Sequence, residues 1–192
     1  MVCSDFSQNL KTIEHQTQFM RRATLPLEGK RVWKIQAGCV RATTWDEEGT
    51  MATLGFWRSG DIVGAFQSRI VPFRIECLMP VRATLVPPGQ IHESVLLLSC
   101  FDQTQELLQI TSHRRVEARL VNFLHWLGSR FGDRVDAGYA IDLRLTHQDI
   151  ADAIRTSRVT VTRLLLQLQH EGKLQWNRQA CVLLESLKSQ AA

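Results

Sequence analysis

Between Arg31 and Val86 short β-rich runs alternate with turn signals. The runs are Arg31–Ile35, Val40–Trp45, Met51–Trp57 and Arg82–Val86. The turns are Glu28-Gly29-Lys30, Ala37-Gly38, Asp46-Glu47-Glu48-Gly49, Ser59-Gly60-Asp61 and Pro87-Pro88-Gly89. Strands at this spacing predict an antiparallel roll or barrel, and Pro80, Pro87 and Pro88 are expected to end its sheet. After Gly89 the period changes. Leu97, Phe101, Thr104, Leu108 and Thr111 form one row, and Leu96, Cys100, Gln103, Leu107 and Ile110 form a second beside it. Such rows predict a long helix with a wide apolar stripe, which can pack on the roll with one edge and on a second copy with the other. Burial against its own domain alone is the other reading, and dimerisation is preferred in view of the downstream segment.

A further helix is predicted from about Arg114 to Arg130, with Val116, Leu120, Phe123 and Leu127 on one face and Gly128 and Gly132 near its end. The polar stretch Asp133–Ala140 reads as a loop leading into a short strand at Ala140–Leu143. Then comes the most informative stretch, Leu145 to Leu165. Thr146 stands at a helix N-cap with Asp149 three residues on to answer it. Ile150, Ala151 and Ile154 face inward, and Ala151 is small enough for another helix to cross close by. Thr156-Ser157 starts a second helix with cap chemistry of its own. Its buried stripe is Val161, Leu164, Leu165 and Leu168, and its opposite face carries Arg158, Val159, Thr162 and Arg163. Beyond Gly172, Leu174 and Trp176, the turn Asn177-Arg178-Gln179 and Val182-Leu183 read as a two-stranded wing, with Arg178 placed for a phosphate. Two short helices with a tight turn, the second cationic and hydroxylic on its exposed face, meet the requirements for reading a DNA major groove.

Charge agrees with this placement. The net charge is +4, and residues 1–112 are balanced, so the whole excess lies in residues 113–192. A neutral front joined to a basic back suggests a regulatory module attached to one that meets a polyanion. No apolar run approaches the roughly 20 residues of a membrane span, and no charged leader with an apolar core opens the chain. Cys3, Cys39, Cys77, Cys100 and Cys181 are odd in number and scattered, which suits free thiols in a reducing cytoplasm better than disulfides or structural zinc. The six histidines show no metal-ligand spacing, and no phosphate loop or nucleophile–base motif is present, so no catalytic residue and no cofactor is assigned.

The segments Arg119–Leu124, Ile141–Ala151 and Thr156–Leu165 closely resemble the CRP/FNR family of bacterial transcription regulators, above all its cyanobacterial global nitrogen regulators. The roll matches more loosely, through the Gly turns at 38 and 49 and through Ser59–Gly64. The resemblance implies an α+β fold of three parts: a cupin-like antiparallel β-roll sensor over 1–90, a dimerisation helix over 91–112 and a winged helix-turn-helix over 113–192. It implies a homodimer reading a palindrome in double-stranded DNA, and adds RNA polymerase as a candidate partner. Arg158 and Arg163 would then be the base- and phosphate-contacting arginines of the recognition helix. The expected DNA-facing set is Thr146, His147, Ser157, Arg158, Val159, Thr160, Thr162, Arg163 and Arg178. The dimer set is Leu97, Cys100, Phe101, Thr104 and Leu108.

Four departures from the family pattern qualify this. Val159 replaces a glutamate common among relatives and offers only apolar contact, such as to a thymine methyl, so a different half-site is expected. Arg155 occupies a turn position where relatives usually have glycine. Gly64-Ala65-Phe66 lacks the following Arg-Ser/Thr pair of cyclic-nucleotide members, which argues against cAMP because a bound phosphate needs a cation and oriented donors. Cys100 replaces the helix arginine of the 2-oxoglutarate site, which leaves Arg69 and Arg74 as candidate anion contacts and 2-oxoglutarate open. The effector set is therefore Gly64, Ala65, Phe66, Arg69 and Arg74. Iron–sulfur binding is not expected, since Cys3 stands alone near the N-terminus. The rival reading is an effector-sensing or protein-interaction module whose helix-turn-helix no longer reads DNA.

Overall fold

Alternating small, β-branched and aromatic residues build two antiparallel sheets that close on one core. A computed structural model describes residues 16–87, 93–136, 138–176 and 181–184. The strands of the roll are β1 (Gln16–Phe19), β2 (Val32–Ala37), β3 (Cys39–Trp45), β4 (Met51–Arg58), β5 (Ile62–Gly64), β6 (Phe73–Cys77) and β7 (Val81–Leu85). They pair in the orders β1-β7-β2-β5 and β4-β3-β6. Between the sheets lie Leu25, Trp33, Ile35, Val40, Ala42, Trp57, Val63, Ile75, Val81 and Ala83. The four strand runs read from the sequence are β2, β3, β4 and β7. Strands β1, β5 and β6 are additional, so Pro80 lies between two strands and does not end the sheet. Gly38 makes the β2–β3 turn with φ of 93°, and a Cβ there would collide with the Pro80 carbonyl.

Helix α1 (Glu93–Ser112) crosses the roll at β4, where the strand is bulged: Ala42 pairs with Gly55 and Thr43 with Thr53. The Phe56 N–H donates to Gln103 Oε1 at 2.9 Å across this irregularity. A Cβ at Gly55 would crowd Trp57 and that same amide oxygen. The two helical rows separate in space. Gln103, Leu107 and Ile110 are buried, while Leu97, Phe101, Thr104 and Leu108 are exposed.

Helix α2 (Val116–Phe131) buries Leu120, Phe123, Leu124 and Leu127. It ends in β8 (Gly132–Val135), which pairs with β9 (Gly138–Ile141). The expected loop over Asp133–Ala140 is therefore a hairpin. Asp133 and Arg134 sit on an edge strand and are exposed, which gives this strand the polar composition of a loop. Helices α3 (His147–Ile154) and α4 (Arg158–His170) follow, then β10 (Leu174–Trp176) and β11 (Cys181–Leu184). The wing joins the hairpin in one sheet of order β10-β11-β9-β8. A second apolar cluster runs from Cys39, Phe56 and Leu78 of the roll through α1 and α2 to α3 and α4. Within it Phe56 meets the rings of Phe123, Trp126 and Phe131 at centroid distances of 5.9, 5.6 and 6.4 Å. Among the described residues no helix is long and apolar enough to cross a membrane.

Candidate nucleic-acid interface

Two side-chain caps orient the helix pair. Thr146 Oγ1 accepts from the Asp149 N–H at 3.1 Å, and the Thr146 N–H donates back to Asp149 Oδ2 at 2.8 Å, completing the reciprocal box expected from the sequence. Ser157 Oγ accepts from the Thr160 N–H at 3.2 Å and opens α4. Ile150, Ala151 and Ile154 are fully buried, as are Val161 and, to within 4%, Leu164, Leu165 and Leu168. The turn between the helices is closed by Arg155 in the left-handed region, at φ 53° and ψ 64°. A side chain there costs about 1 kcal/mol relative to glycine.

The stripe that packs α4 leaves its other face open. Arg158, Val159 and Arg163 are exposed, Val159 by 78%. Among the described residues, neither the Arg158 nor the Arg163 guanidinium has a hydrogen bond or ion pair. Thr162 is half-buried and engaged: its hydroxyl donates to the Arg158 carbonyl at 2.9 Å and lies 2.8 Å from His147 Nδ1. With the hydroxyl hydrogen committed, Nδ1 is the donor in that pair, which leaves Nε2 as the acceptor of a neutral ring. Burial, then the charge of Arg158, pushes the His147 pKa below its ordinary value. Trp176 of the wing packs against this ring at 6.1 Å. Thr160 is half-buried with its hydroxyl 2.9 Å from Ser157 Oγ. Arg178 lies outside the described residues.

Thr146, His147, Ser157, Arg158, Val159, Thr160, Thr162 and Arg163 thus cluster at the start of the two helices. Of the five dimer-row residues, Leu97, Phe101, Thr104 and Leu108 are exposed. Cys100 instead turns toward the roll, where Gln67 Nε2 lies 3.5 Å from its sulfur. The effector set is dispersed. Gly64, Ala65 and Phe66 run from β5 into a short 3-10 turn beside α1, and Arg69 is exposed beyond it. Arg74 stacks over Trp45 at 5.2 Å and reaches Met51 Sδ at 3.9 Å. Trp45 and Met51 in turn line a cleft of about 970 Å³ between the β3–β4 hairpin and α3, with Ile70, Gln148, Asp152 and Arg155. Burial raises three thiols: Cys77 of the roll is pushed up to about 12, and Cys39 of the roll and Cys100 of α1 are also raised.

Two features that hold the reading unit were not foreseen. Arg119 donates through Nε to the His113 carbonyl at 2.7 Å and through Nη1 to the carbonyls of Ile154 and Arg155 at 3.4 and 3.2 Å. It thereby satisfies the end of α3 that the left-handed turn leaves open. The second is a charge cluster between roll and α3. Arg22 forms two hydrogen bonds to Asp149, both 2.8 Å long. Arg41, with a side chain only 4% exposed, reaches Glu76 at 3.0 Å, Asp149 at 3.1 Å and Asp152 at 3.3 Å. Burial opposes ionisation of Asp149, but hydrogen bonds from Arg22 and Thr146 and the charge of Arg41 outweigh it and hold the carboxyl below the usual range.

Comparison with known proteins points the same way. Residues 118–188 match the Crp-like helix-turn-helix domain. Regulatory protein CysR of Synechococcus elongatus is 41% identical over 174 residues, spanning 88% of this chain and 84% of that protein. The global nitrogen regulator of the same species is 32% identical over 177 residues, spanning 82% and 79%. Among solved structures, a CRP-family transcriptional regulator from Thermus thermophilus superposes with a TM-score of 0.75 at 22% identity, covering 91% of this chain and 96% of that one. FixK2 from Bradyrhizobium japonicum gives 0.78 at 18% identity, covering 94% and 98%. The two Synechococcus proteins and the Thermus protein are regulators, and the structural likeness confirms the α+β fold.

Proposed function

Since the chain belongs to the CRP/FNR family of transcription regulators, we propose that it acts as a homodimer that reads a palindromic site in double-stranded DNA. Each protomer lays α4 in a major groove, and the two grooves are successive on one side of the duplex. The observation that carries this reading is the exposed face of α4, where Arg158 and Arg163 flank Val159 with their guanidinium groups uncommitted among the described residues. Arg158 is placed to donate two hydrogen bonds to a guanine edge, and Val159 to rest on a thymine methyl. Arg163, one turn further along the helix, contacts phosphate. Dimer formation is supported by the exposed row of α1, where Leu97, Phe101 and Leu108 are 48%, 61% and 63% exposed while Gln103, Leu107 and Ile110 of the adjacent row are buried.

The test is selection of bound duplexes from a random pool, followed by gel-shift titration of the selected site and a scrambled control. Arg158→Ala is expected to cost about 1–3 kcal/mol on the selected site only, relaxing preference at one base pair per half-site. An equal loss on both duplexes contradicts the base-reading role of Arg158. A wild-type protein without salt-dependent DNA binding contradicts the whole reading.

A further inference from the structure

We propose that Arg155 is a phosphate contact, forming with Arg114 and Arg115 a cationic ridge that grips the duplex backbone beside the recognition helix. The inference rests on the DNA-reading function above and extends it to residues outside the helix-face set. Arg155 stands at a φ of 53°, where glycine is favoured, and its long side chain is exposed. Fold alone does not explain that choice, because the guanidinium has no hydrogen bond or ion pair among the described residues. The acid three residues before it, Asp152, is already engaged by Arg41 at 3.3 Å and by Gln148 at 2.7 Å.

Arg119 determines what lies beside this turn. By donating at once to His113 and to Ile154 and Arg155, it brings the α1–α2 elbow against the end of α3. The elbow carries Arg114 and Arg115, both exposed, and neither guanidinium has a hydrogen bond or ion pair among the described residues. Glu117, in the first turn of α2, is exposed and makes no ion pair with them among those residues. Arg158 begins the next helix three residues after Arg155. Three uncompensated cations therefore extend the positive surface from the start of α4 to the elbow. Their natural counterpart is the evenly spaced charge of a phosphodiester backbone, and such contacts position the protein without reading sequence.

The experiment is a set of fluorescence-anisotropy titrations across KCl concentrations, on the selected duplex and a scrambled one, paired with thermal melts. Arg155→Gly is expected to lower the slope of log K against log salt by about 0.9 per protomer and to weaken binding about eightfold per protomer at 0.1 M salt, equally on both duplexes. Its melting temperature is expected to rise, since glycine suits the turn. Arg155→Lys is expected to keep the slope, and Arg114→Ala with Arg115→Ala to lower it by about twice as much. An unchanged slope in Arg155→Gly, with wild type still salt-dependent, overturns the ridge and leaves the DNA-reading function standing. If wild type fails to bind either duplex, the reading beneath the ridge falls instead.

Discussion

Replacing Asp149 with asparagine tests whether the roll and the reading unit are joined by charge. The carboxylate is 1% exposed, accepts from Arg22 twice at 2.8 Å, from the Thr146 N–H at 2.8 Å and from the Thr146 hydroxyl at 2.7 Å, and pairs with the Arg41 charge at 3.1 Å. An amide keeps one acceptor oxygen but turns an N–H₂ group toward donors that have no lone pair to offer. Removing one member of a buried ion pair costs about 3–5 kcal/mol. The low end applies to this site, because Arg41 retains Glu76 and Asp152, and Arg22, at 38% exposure, recovers water. Weakening the α3 cap adds about 1 kcal/mol, for an expected loss of roughly 4 kcal/mol against a typical total of about 5–15 kcal/mol. The sign with pH follows from the depressed carboxyl. A group whose folded pKa lies below its unfolded value contributes fully above the unfolded pKa, and that contribution fades as pH falls through the folded pKa. Urea unfolding at a series of pH values should therefore show the gap between wild type and Asp149→Asn at neutrality and see it close under acid conditions. A variant within about 1 kcal/mol of wild type at pH 7 would refute the reasoning.

Three other outcomes follow from the geometry. Phe101→Asp with Leu108→Asp should give monomers by analytical ultracentrifugation and leave the melting temperature of the protomer nearly unchanged, since both residues lie on the exposed row. His147 is held neutral by burial and by Arg158, and phosphate nearby favours its charged form. DNA affinity should thus rise as pH is lowered through and below the ordinary histidine range, and His147→Gln should remove that dependence in the same titrations. Gln103→Leu strips the Phe56 N–H of its acceptor inside the core, and denaturant titration should show a loss of about 1–3 kcal/mol.

The helix-turn-helix was legible because its signals are local. Caps sit three residues from what they cap, and the stripe Val161, Leu164, Leu165, Leu168 repeats at helical spacing. The two rows of α1 were likewise visible, and only their assignment to opposite surroundings needed the structure. What could not be read is non-local. Glu76 looks like a solvent-facing strand residue until α3 covers that side of the sheet, and Arg41 lies in a strand whose first five residues are all buried. The partner of Arg22 is 127 positions away, a separation no periodicity encodes. Strand β5 is three residues long, too short to show the apolar alternation by which strands are recognised, whereas β6 does carry it, with Phe73, Ile75 and Cys77 alternating with Arg74 and Glu76. Strand β8 (Gly132–Val135) was hidden by the charges of Asp133 and Arg134.

The aromatic contact between Phe56 and the rings of α2 bears on how a signal can travel. Prying α2 and the helix pair together off the roll uncovers Phe56, Phe123 and Leu124 and parts Arg41 from Asp149 and Asp152. A swinging head within the protomer is thus the costly route. In the dimer proposed above, built on the exposed row of α1, the cheaper motion is a pivot of one whole subunit against the other where the two α1 helices would cross. The distance from that crossing to α4 then acts as a lever arm, so a small change in crossing angle resets the spacing of the two reading helices.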